Sequence, residues 1–126
     1  MTLSLKAVVD RIKIYFAENP YFEIEEEVVP EDGLIYFISV KLEIIGCFYD
    51  EGRDEIEILI VFKEDNHVIH ENAWDYFIQF LKERIRNRLK KIGYEVPFDK
   101  IKIILYEDYE SIGRGSITDF YLGESS

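Results

Sequence analysis

Cysteine is nearly absent from this chain of 126 residues: there is one, Cys47, alongside three prolines, two histidines, one methionine and one tryptophan. One cysteine excludes an internal disulfide framework, and without an export signal the expected compartment is a reducing cytoplasm. No apolar run approaches the ~20 residues of a membrane span. Met1-Thr2-Leu3-Ser4-Leu5-Lys6 leads straight into a periodic pattern that contains Asp10 and Arg11, unlike a signal peptide. Positive charge is scarce too. Fifteen Lys and Arg face 26 Asp and Glu, a net charge of -11. The average field repels phosphate, which disfavours non-specific binding to nucleic acid or to an anionic membrane.

What is present is ample apolar material. Hydrophobic residues make up 48 % of the chain and aromatics 15 %, enough for a packed core and incompatible with disorder. At this length one domain buries roughly two-thirds of the surface its unfolded chain exposes. The reading is a single domain over residues 1–110 and a tail over 111–126, partly docked and frayed at its end. A composition rich in Ile, Glu and Lys, with one Gln, is the pattern associated with thermophiles.

Periodicity orders the elements. Leu5, Val8, Val9, Ile12, Tyr15 and Phe16 recur at helical spacing, with Thr2 as the expected N-cap and Asn19-Pro20 as the stop. Phe22, Ile24 and Val28 alternate with Glu23, Glu25 and Glu27, which reads as an edge strand guarded by charge. After a turn at Pro30-Glu31-Asp32-Gly33, a long strand begins at Leu34. Its second face carries Ile35 and Phe37 and is expected to be partly covered; Gly46 marks a bulge. Asp50-Glu51-Gly52-Arg53-Asp54 is a hairpin turn into a third strand, Ile56 to Phe62, apolar on both faces through Leu59 and Val61. Asn72 is the expected cap of a long helix, Ala73 to Ile92, closed by Gly93. A fourth strand, Ile101 to Tyr106, precedes the Gly/Ser-rich tail. The fold class is α+β: helix, three-strand antiparallel meander, helix, strand, with both helices on one face of a four-stranded sheet, the fourth strand parallel to the third, and an irregular tail.

The long helix is unusual on its outer side. Trp74, Phe77, Ile78, Leu81, Ile85, Leu89 and Ile92 form the stripe that faces the sheet, while Tyr76 and Phe80 fall nearly opposite. Either the first helix or the tail covers them, or they anchor a partner, as exposed aromatics do at interfaces. From Lys82 to Lys91 the same helix holds six bases and one acid, while the rest of the chain is at -16. Such bases complement the helix dipole and keep the helix soluble. They also suit docking on an acidic surface, of which the row Glu23, Glu25 and Glu27 is an example in this same sequence. Nucleic acid is a poorer fit, since the basic stretch lacks interleaved aromatics for base stacking.

Candidate chemistry is sparse. His67, His70 and Glu71 could supply metal ligands, but their loop spacing fixes no geometry, and surface histidines are the plainer reading. Asp50, Glu51, Asp54 and Glu55 do not match a calcium loop, and Gly113-Arg114-Gly115 opens no helix that would cradle phosphate. Cys47 lies in an apolar run and reads as a structural thiol. No histidine pairs suggestively with the serines of the tail.

Two architectural comparisons follow from the element order. It is similar to that of the restriction-endonuclease-like nuclease core, which holds a divalent metal with an Asp on one strand and an acidic-x-Lys motif on the next. Here Val61-Phe62-Lys63 has valine in the acidic place, and Asp32 with Ser39-Val40-Lys41 spans a turn and a strand. The order and the acidic charge also resemble the small dimeric chaperones of bacterial secretion systems, which bind a partner's extended segment; that resemblance is of architecture alone. The expected function is therefore protein contact without catalysis, cofactor, metal or membrane: a homodimer, or a domain docking another protein. Tyr76 and Phe80 are the expected anchors, Arg84, Arg86 and Arg88 the electrostatic selectors, and Phe120 and Tyr121 the completing tail residues. A nuclease-like core without a clear motif is the alternative.

Overall fold

Alternation of apolar and charged residues in the first half of the chain builds one sheet. A computed structural model describes residues 4–63 and 69–121, with residues 118–121 as backbone only. Strand β1 (Tyr21–Val28) pairs antiparallel with β2 (Tyr36–Asp50), and β2 with β3 (Glu55–Phe62). Strand β4 (Ile101–Tyr106) runs parallel to β3, and β5 (Thr118–Tyr121) antiparallel to β4. The spatial order is β1-β2-β3-β4-β5. The meander, the two helices and the parallel fourth strand stand as the periodicity implied, and the tail adds a short fifth strand.

One face of this sheet is the core. Ile24, Leu42, Ile58, Ile60, Ile103 and Leu105 all lie at 5 % exposure or less on it. Helix α1 (Leu5–Glu18) buries Val8, Val9, Ile12 and Phe16 there, and helix α2 (Trp74–Lys91) buries Phe77, Leu81, Ile85 and Leu89. The N-cap of α1 is Ser4, whose Oγ accepts from the Ala7 amide at 3.2 Å; Thr2 lies outside the described residues. A 3-10 turn, Glu71–Ala73, precedes α2, and its cap is His70 rather than Asn72, since His70 Nδ1 accepts from the Asn72 amide at 3.1 Å. Imidazole can cap because its unprotonated nitrogen is an acceptor. At the other end of α2, Gly93 takes φ +90°, and Tyr94 N and Gly93 N return to Leu89 O and Lys90 O, both at 2.9 Å. That is a Schellman close, and a left-handed residue there favours glycine.

The opposite face is partly open. The register of β2 on β3 shifts between Ile44 and Gly46, the bulge read from the glycine. Phe37 is 72 % exposed and Ile35 57 %, so the coverage expected for them is absent. Leu34, expected on the core face, is also exposed, because β2 begins only at Tyr36. Val61, in contrast, is fully buried on this face. A 3-10 turn, Tyr109–Gly113, holds Tyr109 near it by bonds to Glu43, the register partner of Val61, and to Lys63, two positions after it.

Candidate interaction surface

Helix α2 lies beside strand β1, and a single ridge makes the connection. Side chains four positions apart stack on one helix flank, drifting by about 40° per step. Asn72, Tyr76, Phe80, Arg84 and Arg88 are such a series. Its ends are fixed by hydrogen bonds. Asn72 Nδ2 donates to Asp32 Oδ2 at 3.0 Å; Arg84 Nη1 donates to Glu23 O at 3.1 Å and its Nη2 lies 3.5 Å from Glu26 Oε1. Arg88 donates to Asn19 O at 3.0 Å and Tyr21 O at 2.8 Å, with its guanidinium 5.2 Å from the Phe22 ring centre. Tyr76 and Phe80 occupy the two turns between the Asp32 and Glu26 contacts. They are half-buried and pack against the core.

The arginines therefore meet backbone. Ile44 N donates to Pro20 O at 2.7 Å, so Pro20 faces β2, and by alternation so do Phe22, Ile24, Glu26 and Val28. Tyr21, Glu23, Glu25 and Glu27 direct their backbone groups off the sheet, where β1 is an edge. Arg88 and Arg84 occupy the first two of those carbonyls. Arg86 points elsewhere: its guanidinium stacks 4.2 Å from the Phe98 ring centre, beside a cavity of about 330 Å³ lined by Lys90, Tyr94 and Val96. The three arginines thus serve two different surroundings.

Phe120 and Tyr121 sit on β5, at the opposite edge of the sheet from β1, where their register partners are Ile103 and Lys102. Among the described residues, the backbone of β5 and the α2 ridge therefore stand toward opposite edges of the sheet. The side chains of Phe120 and Tyr121 lie outside what is described.

The most exposed apolar surface is one the periodicity did not single out. Val29 (56 %), Leu34 (59 %), Ile35 (57 %) and Phe37 (72 %) cluster at the end of the β1–β2 hairpin. Asp32 orders this end. Its Oδ1 accepts from Leu34 N at 3.0 Å, and its Oδ2 from Tyr36 Oη at 2.5 Å as well as from Asn72. The Tyr36 bond, the Leu34 amide and Asn72 hold the Asp32 carboxyl below its ordinary range, and the same bond raises the Tyr36 hydroxyl. The Tyr36 ring packs on His70 with centres 4.7 Å apart. The signal available in the sequence was the run Leu34-Ile35-Tyr36-Phe37, apolar on both faces of a strand with too little chain nearby to cover both.

A second cluster occupies the open sheet face. Lys63 Nζ lies 3.4 Å from Glu43 Oε1 and 3.3 Å from Tyr109 Oη. Tyr109 donates to Glu43, and the Lys63 ammonium sits over the Tyr21 ring at 5.1 Å. Glu43 is the register partner of Val61, so a carboxylate stands opposite the valine of Val61-Phe62-Lys63. Among the described residues no three His, Cys, Asp or Glu are grouped to hold a metal. His67 lies outside them, and His70 is spent on the turn cap.

The remaining candidates are structural. Asp50 Oδ1 accepts from Gly52 N at 2.9 Å and Arg53 N at 3.2 Å, which forms the hairpin turn. Asp54 accepts from Tyr49 Oη at 2.5 Å. Cys47 is buried, and burial pushes its thiol up to about 12. No helix among the described residues is long and apolar enough to cross a membrane. No family model, no curated protein and no solved structure matches the chain.

Proposed function

We propose that this chain is a non-enzymatic protein-interaction domain of the cytoplasm, adaptor- or chaperone-like, that works as a homodimer. The hairpin end carries the reading: four large apolar side chains, each more than half exposed, on an end braced by Asp32, Tyr36 and Asn72. An exposed apolar cluster held rigid by polar bonds costs solubility and is compensated when a partner covers it. A second copy is the occupant favoured by charge. In a chain at -11, two acidic copies meet with least repulsion over their apolar surface, and Val29, Leu34, Ile35 and Phe37 form such a patch, with Glu27 beside Phe37 at its border. A two-fold contact would set it on itself with Glu27 and Glu31 at the rim. Light scattering on a sizing column tests this. A dimer that persists in high salt and becomes a folded monomer on Phe37→Glu supports the seam; a wild-type monomer at all concentrations overturns it.

A second reading rests on the Glu43–Lys63 pair. Adjacent strands bring a carboxylate and a lysine together, as a nuclease of this element order requires, although one carboxylate already shared with Tyr109 and Lys63 is a poor divalent-metal site. Magnesium or manganese should then raise the melting temperature and permit nucleic-acid cleavage that Lys63→Ala abolishes. No metal-dependent shift would remove this reading.

A further inference from the structure

We infer that the side of β1 from Glu25 to Val28 is a strand-addition site for an extended segment of a different protein, one that alternates basic and apolar residues. The inference rests on the protein-interaction reading but not on the dimer seam, which begins at Val29 and meets this site only at its rim, Glu27. An unpaired edge is a template for another strand, and proteins either block it or use it. Here the edge is blocked only in part. Arg88 and Arg84 hold the outward carbonyls of Tyr21 and Glu23, and the next outward positions, Glu25 and Glu27, lie beyond the reach of that pair and are exposed. The chain then continues into the exposed Val29.

Two different environments flank this open length, and they set the pattern of the occupant. The side chains of Glu23, Glu25 and Glu27 stand on the open face of the sheet, in register with Lys41, Ser39 and Phe37. Residues of an added strand on that face would meet carboxylates. On the helix side lie Val28, the half-buried rings of Tyr76 and Phe80, and Glu26, whose carboxylate is already paired with Arg84. Because successive side chains of a strand take opposite faces, the complement is basic, apolar, basic, apolar. A second copy of β1 is the wrong occupant, since antiparallel self-pairing would set its glutamates against these. The role of Tyr76 and Phe80 becomes that of the apolar wall under such a segment.

The test uses the full chain and a labelled ten-residue peptide of alternating Lys and Val, followed by fluorescence anisotropy at physiological salt. A control peptide of the same composition, with its lysines and valines in separate blocks, measures charge attraction alone. The alternating peptide should bind and the block peptide should bind about tenfold more weakly or worse. Glu25→Pro should weaken binding by a similar factor, since it removes an amide that points off the sheet and bonds no neighbouring strand. Far-UV circular dichroism checks that variant's fold, and Glu25→Lys with Glu27→Lys gives an independent loss through charge. Binding should survive in Phe37→Glu, which separates this site from the dimer seam. No binding of the alternating peptide, equal binding of both peptides, or unchanged affinity in folded Glu25→Pro and in the double lysine variant would overturn the inference.

Discussion

The guanidinium of Arg88 donates to the carbonyl oxygen of Tyr21 at 2.8 Å, so a helix side chain occupies the hydrogen-bonding edge of a strand. The second nitrogen reaches Asn19 O, and Arg84 repeats the contact at Glu23 one helical turn earlier. Charged donors on backbone acceptors are among the stronger hydrogen bonds, although water competes at partly exposed sites. Arg88→Ala should cost about 1–2 kcal/mol in chemical denaturation. Arg88→Lys should restore less than half, because an ammonium cannot span two carbonyls as the planar fork does. Loss of both arginines should also produce concentration-dependent association on a sizing column, by opening the N-terminal half of the edge. A double variant as stable and as dispersed as the wild type would show that the caps are incidental.

Gly46 argues for a close approach rather than for backbone freedom. A Cβ built there would lie 2.9 Å from the Phe48 ring, whose own side chain is half exposed. The ring can swing aside, so Gly46→Ala should cost no more than about 1 kcal/mol, the low end of overpacking. In a Phe48→Ala background the obstruction is gone, and alanine is better than glycine in a strand by roughly 0.5–1 kcal/mol. The same substitution should therefore change sign between the two backgrounds. Additive effects in a double-mutant cycle would rule out this contact as the reason for the glycine.

The core was legible because burial leaves a periodic trace: Val8, Ile12 and Phe16 on one helix, Phe22, Ile24 and Val28 on one strand, and the glycines at 46 and 93 where the chain bulges and closes. The arginine caps were not, since Arg84 and Glu23 stand 61 positions apart and nothing local marks a guanidinium that will meet a distant carbonyl. The same holds for Glu43 and Lys63, which only the β2–β3 register brings together. Phe37 shows a different limit. Periodicity assigns residues to two faces of a strand, but which apolar face stays open depends on where the helices land, and here both landed on the other side. His70 displaced Asn72 as the turn cap because a 3-10 turn begins two residues earlier than the helical pattern.

Cys47 should behave as an inert thiol. It packs in the core, and desolvation is the main reason its thiol is raised to about 12. Since the thiolate is the reactive form, titration with a thiol reagent at pH 8 should proceed slowly in the native protein and rapidly after denaturation. Cys47→Ser should destabilise by about 1–3 kcal/mol, because a buried hydroxyl needs a partner that the thiol does not. Fast native labelling would mean that this part of β2 opens readily.

Two tyrosine–aspartate bonds predict opposite ends of the pH–stability curve. Tyr49 donates to Asp54, chiefly for that reason its hydroxyl is raised to about 12, and the unfolded chain titrates near 10. A folded pKa above the unfolded one gives stability that is complete below about pH 10 and lost as pH climbs through about 12. Asp32 runs the other way. Its bonds from Tyr36 and Leu34 lower it, so its contribution is present above the unfolded carboxylate value, about 3.9, and fades as acid protonates the folded group. Tyr49→Phe should therefore flatten the alkaline limb alone, while Asp32→Asn should flatten the acid limb and also soften the alkaline limb, because the same bond raises Tyr36. Stability measured by denaturant midpoints across pH distinguishes them, and a Tyr49→Phe curve parallel to the wild type above pH 10 would show that the bond to Asp54 carries no proton linkage.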